Sequence, residues 1–229
     1  MTEQEWLQSP EPVRMVTYLR FGRGAARTKA GRRKLRLFGC ACCLRVRRLF
    51  PDERGWPVVC LAERLADGTA NQAEVDAALR DAEPILFDGE RDQVRQARLN
   101  LHEAVRRLCG SAGDSAMACS SVGIALRWLQ GFAPETAEWA VQAGLLRDLF
   151  GNPFRPAPAI ESGWLVAGGG SVVRLTRRIY DDRRFEDMPV LADALEEAGC
   201  RDEELLGHLR GSGPHARGCF PLDLLLGKA

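Results

Sequence analysis

The stretch RRKLRLFGCACCLRVRRLF, residues 32–50, decides the fold class. Leu35, Phe38, Cys42, Val46 and Leu49 recur at three- and four-residue spacing, the period of one helical face. The spacing predicts an amphipathic helix with its arginines on the other face, ended by Pro51. Outward from it the same period returns. Thr2 and Glu5 form a capping-box pair before a short first helix, and Ser9-Pro10 opens a second that runs to about residue 20. FGRGAARTKAG, residues 21–31, reads as a flexible basic loop. Further helices are predicted over 57–66, 71–82, 89–109, 114–130, 135–150, 171–180, 188–198, 202–210 and 221–227.

Strand signals are nearly absent, and only SGWLVAGGGSVVRL, residues 162–175, tempts a hairpin reading. Pro153, Pro156 and Pro158 favour an extended connector. There is no internal repeat. The expectation is an all-α protein: an irregular helical bundle over 1–150 with a basic N-terminal segment, then a proline-rich connector and a compact helical tail, 151–229, docked on the bundle.

With 229 residues of ordinary globular composition, the chain can bury a substantial core. No stretch approaches the roughly 18–20 apolar residues of a membrane span. MTEQEWLQSPEP is acidic and polar and does not read as a signal peptide, so a cytoplasmic location is expected. There eight cysteines stay reduced and suggest buried small groups, metal ligands or thiol chemistry rather than disulfides.

The net charge of +1 hides an asymmetry. Between Glu11 and Asp52 lie twelve Lys or Arg and no acid, whereas from Asp52 onward 28 acidic residues face 20 basic ones. Such a segment either meets a polyanion or packs against the chain's own acids. The loop GRGAARTKAGRRK offers Arg23, Arg27, Lys29, Arg32, Arg33 and Lys34 as phosphate-contacting candidates. Only Tyr18, Phe21 and Phe38 are near as stacking groups, too few for sequence-specific single-strand reading.

RKLRLFGCACC, LLRDLFGNPFRP, IYDDRRFEDMPVLADALEEAGC and GPHARGCFPLDLLLGK together resemble a bacterial family found mainly in planctomycete genomes. The resemblance covers the cysteine helix and nearly everything from about Leu145 onward; residues 68–140 diverge. It implies no particular activity, since none is established for that family. It does imply that the cysteine cluster and the GPH…GC element occur together. This chain departs from the pattern at Gly39, where alanine is usual, at Leu209, where a cysteine is common, and at Phe220-Pro221. Leu209 therefore excludes an obligatory ligand at that position, and Pro221 argues against an unbroken helix through Cys219.

On a helix Cys40 and Cys43 share a side, while Cys42 faces away from Cys40. His215 and Cys219 have the gap of a zinc half site. If the tail docks on the cysteine helix, Cys40, Cys43, His215 and Cys219 would form a closed, structural Cys3His zinc site. The alternatives are inert buried cysteines and a thiol made reactive by nearby arginines. Cys60, Cys109, Cys119 and Cys200 read as core, and His102 as structural. GGGS before a helix lacks the Lys-Ser/Thr of a P-loop.

No set of nucleophile, base and acid is evident. The reading is a non-catalytic interaction or adaptor module, stabilised by structural zinc and serving an unknown protein partner or larger complex. The alternatives are nucleic-acid binding through residues 14–48 and, third, a thiol-dependent enzyme.

Overall fold

The computed structural model describes residues 1–49, 55–82, 91–130 and 133–228. Every regular element among them is helical, so the protein is all-α. Pro51, expected to end the cysteine helix, and residues 89–90, expected to open another, lie outside the described residues. No helix among the described residues is long and apolar enough to cross a membrane. Two compact units are formed, Met1–Leu146 and Arg147–Ala229.

In the first unit, α1 (Glu3–Gln8) carries the expected capping box of Thr2 and Glu5 and buries Trp6. The next helix, α2 (Pro12–Thr17), starts later than Ser9-Pro10 suggested, because Pro12 takes its first turn. A π turn, Tyr18–Gly22, follows it. The basic stretch is then folded tightly: Gly24 takes φ +68°, and Ala25–Arg27 form a 3-10 turn. Helix α3 (Lys29–Arg45) begins three residues before the predicted start, because the Thr28 side chain caps it by accepting from Gly31 N–H at 3.0 Å.

Not every cation of this helix faces solvent. Arg33 and Lys34 are buried, and Arg33 Nε donates to Asp67 Oδ1 at 2.9 Å. Leu35, Phe38, Cys42 and Val46 are buried as predicted.

The remaining helices of this unit are α4 (Gly55–Ala66), α5 (Gln72–Asp81), α6 (Asp92–Leu108), α7 (Ala112–Ala116) and α8 (Ala118–Gln130). A single helix over 114–130 was predicted; Ser111 caps a separate short one, with Asp114 closing the box. Helix α9 (Ala133–Phe150) buries Glu138 and Gln142 in line with Leu145 and Leu149. Arg45 grips Glu138 through both carboxylate oxygens, each at 3.0 Å.

The second unit opens in the last turn of α9 and contains α10 (Ser162–Asp182), α11 (Met188–Glu197), α12 (Glu203–Arg210) and α13 (Phe220–Leu225). No hairpin forms at residues 162–175. Gly168, Gly169 and Gly170 instead take φ +55°, +65° and +80° and make a left-handed turn inside α10. The core of this unit gathers Ile179, Tyr180, Leu191, Leu205, Leu209, Cys219 and Phe220.

Candidate metal centre

Asp148 stands in the last turn of α9, the end where the helix dipole is negative and a carboxylate is least welcome. Gly151, at φ +61°, stops the helix one turn later, its N–H bonded to the Arg147 carbonyl at 2.8 Å. The carboxylate is 2 % exposed. Three donors offset its position: His208 Nε2–H at 2.9 Å and His215 Nδ1–H at 2.7 Å, both to Oδ1, and the Ala216 N–H at 3.0 Å to Oδ2.

His208 is presented by α12, which Asp202 caps through the Leu205 N–H at 2.8 Å. Its ring meets Phe220 edge-on, with centroids 4.6 Å apart. His215 lies in the link between α12 and α13, and its Nε2–H donates to the Gly211 carbonyl at 3.3 Å. Cys219 is the N-cap of α13, with Pro221 in the first turn, so the helix starts after the cysteine rather than running through it. Its Sγ is 3.3 Å from His208 Nε2.

One ligand atom from each of Asp148, His208, His215 and Cys219 lies within 4.8 Å of the others. Carboxylate, imidazole and thiolate are the donors that zinc and its neighbours accept. Zinc bonds of about 2.0–2.3 Å place tetrahedral ligand atoms roughly 3.3–3.8 Å apart. The two hydrogen bonds to Oδ1 would therefore open by roughly half an ångström around an ion.

Burial opposes charge on Asp148, yet the hydrogen bonds and charges of His208 and His215 hold its carboxyl below the ordinary value. At His215 burial works against the charged ring, but the Asp148 hydrogen bond and charge, with the Gly211 carbonyl, raise its pKa. Burial first, and then the Asp148 charge, push the Cys219 thiol well up. Cys219, His208 and Asp148 are not arranged as a relay. In a nucleophile–base–acid set the acid holds one ring nitrogen and the nucleophile uses the other, whereas here both meet Nε2.

Of the quartet expected from the sequence, the group contains His215 and Cys219. Cys40 and Cys43 are not in it: both are buried in α3 of the first unit, where burial and then Cys119 push the Cys43 thiol up. Asp148 and His208 complete it instead. Asp148 has no spacing relation to the histidines, and His208 sits alone on a helix; only the wrong-end placement of Asp148 on its helix was a signal.

Of the basic candidates, Arg33 and Lys34 are buried, while Arg23, Arg27, Lys29 and Arg32 are exposed. Comparison with protein-family models, curated proteins and solved structures found no match.

Proposed function

We propose that the chain is a non-catalytic helical interaction module whose second unit is stapled by a structural zinc-class ion. Asp148 Oδ1, His208 Nε2, His215 Nδ1 and Cys219 Sγ would hold it. The observation that carries this reading is the convergence of four donors from three segments within 4.8 Å. Four protein ligands fill a tetrahedron and leave no position for a substrate or water, which favours a structural role. When bound, the ion replaces the proton-mediated contacts among these side chains with bonds whose free energy adds to folding. Native mass spectrometry and elemental analysis of protein purified without added metal test it. One zinc per chain, lost in His208→Ala and retained in Cys43→Ala, is the expected result; an equal loss in Cys43→Ala would return the site to the cysteine helix.

A second reading is favoured by how the first unit uses its cations. Arg14, Arg33 and Arg45 are paired with Glu5, Asp67 and Glu138, and Arg36 donates to the Gly110 carbonyl at 2.7 Å. Arg23, Arg27, Lys29 and Arg32 have no ion-pair partner among the described residues. Those four would form a polyanion-binding surface, tested by salt-dependent retention on heparin.

A further inference from the structure

We infer that this surface binds single-stranded nucleic acid without regard to sequence, one base stacking on Phe21 while Arg23, Arg27, Lys29 and Arg32 meet phosphates. The inference rests on the polyanion reading above and names its partner.

Phe21 is 74 % exposed, the most exposed large apolar side chain among the described residues. It contributes almost nothing to the core. The Arg20 guanidinium lies 5.2 Å from its ring centroid, a cation–π contact that steadies the ring and adds another charge beside it. The backbone around it is tightly packed. A Cβ at Gly22 would stand 2.8 Å from the Tyr18 ring, and one at Gly31 would stand 2.1 Å from the Ala25 carbonyl oxygen. The 3-10 turn therefore lies directly on the first turn of α3. Arg32 Nη1–H donates to the Arg27 carbonyl at 3.1 Å, joining the same two turns.

The charges have the wrong sign for local stability. Lys29 and Arg32 occupy the start of α3, where the dipole favours acids, and no acid is present in that turn. With no ion-pair partner among the described residues and an unfavourable helix end, these cations are explained by something external and anionic. The exposed aromatic decides which anion. A duplex keeps its base faces stacked on one another, and a carboxylate-rich peptide has no use for an aromatic face. A single strand supplies both phosphates and free base faces. Phe38 is buried and Tyr18 packs near Trp6, with ring centroids 6.5 Å apart. Phe21 is then the one stacking platform of this surface among the described residues, which suits sequence-tolerant binding.

The test is fluorescence anisotropy of the full chain with a labelled oligothymidylate of about 15 nucleotides. A blunt duplex of equal length, heparin, and vesicles containing phosphatidylserine are the comparison ligands. The single strand should bind more tightly than the duplex at equal salt. Phe21→Ala should weaken oligonucleotide binding about tenfold, with heparin retention and the melting temperature unchanged. The Arg27→Glu/Lys29→Glu double variant should weaken both ligands and flatten the salt dependence. Duplex binding as tight as single-strand binding, or no effect of Phe21→Ala, would overturn the single-strand inference while leaving the polyanion surface standing. Vesicle binding that depends on Phe21, without oligonucleotide binding, would assign the surface to a membrane. Loss of heparin retention at physiological salt in the unaltered chain would overturn both.

Discussion

His208 and Asp148 meet through a single pair of atoms, Nε2 and Oδ1, 2.9 Å apart, and that same nitrogen also faces Cys219. His215 reaches the same oxygen, so one buried carboxylate joins the end of α9 to α12 and to the link before α13. Asp148→Asn keeps the shape and removes the charge that all three donors address. Charge-assisted hydrogen bonds in buried settings contribute about 1.5–3 kcal/mol each. The variant should therefore lose about 3 kcal/mol of unfolding free energy in chelator-treated protein, measured by urea denaturation. It should also fail to retain zinc. A variant as stable as the parent would mean that the carboxylate is not the tie described.

The metal-free and metal-loaded forms should respond to pH in opposite directions. His215 has its folded pKa raised above 6.5, so its contribution is fully present below 6.5 and is lost as the pH rises through the folded value. Asp148 has its folded pKa lowered below 3.8, so its contribution is present above 3.8 and is lost as the pH falls through the folded value. Stripped protein should thus be most stable between these limits and weaken on the alkaline side. With zinc the trend reverses: neutral imidazoles and a thiolate are needed, and the Cys219 thiol is pushed up, so metal affinity should keep increasing above neutrality. Melting temperatures at pH 5.5 and 8.0, with zinc and with chelator, would show the crossing about these pH values. Parallel curves would exclude coordination through these groups.

The helical class was legible because period and capping are local. Thr2 and Glu5 close their box within four residues, and it is present. The stretch around GGG tempted a hairpin reading because three left-handed glycines fit inside a helical path as well as in a hairpin turn. The candidate metal centre was half legible. His215 and Cys219 announce themselves by spacing, whereas Asp148 is 67 residues from His215 in sequence and is brought to it only by tertiary packing. The basic segment resisted reading for a similar reason: Arg33 and Arg23 look alike until Asp67 is seen to claim one of them.

At Gly39, α3 packs closely against the backbone of α7. A Cβ there would be 2.1 Å from the Ser115 carbonyl oxygen and 2.9 Å from Leu108 Cδ2. Helix propensity favours alanine by about 1 kcal/mol, but backbone cannot yield cheaply, and overpacking costs typically 1–3 kcal/mol or more. Gly39→Ala should therefore destabilise by about 2 kcal/mol net. Gly207→Ala in α12 meets nothing within 4 Å and is exposed, so it should stabilise by about 0.5–1 kcal/mol. Chemical denaturation of the two variants side by side separates packing from propensity.

Arg33 and Asp67 are 9 % and 6 % exposed and 2.9 Å apart. Removing one partner breaks this buried ion pair, a change of about 3 kcal/mol. Asp67→Ala should lower the stability of the first unit by that amount, whereas Arg27→Ala, at the surface, should stay within about 0.5 kcal/mol. Equal effects would mean that the basic segment is not divided into structural and available cations.

Thiol labelling bears on the remaining chemical reading. Cys60 and Cys109 are half-buried, while Cys40, Cys42, Cys43, Cys119, Cys200 and Cys219 are buried. Burial and then Asp76 push the Cys109 thiol up to about 11, and burial pushes Cys119 up to about 12. The thiolate is the reactive species, so raised pKa values and closed surroundings both suppress attack. Native protein at pH 7.5 should label slowly and at no more than Cys60 and Cys109, with all eight thiols released in denaturant. Chelation should expose Cys219 only to the extent that it loosens the second unit. Rapid stoichiometric modification of Cys43 or Cys219 in the folded, metal-loaded chain would instead show an activated thiol. The Asp148–His208–Cys219 contacts would then have to act as a proton-transfer path through one shared nitrogen, which their geometry opposes.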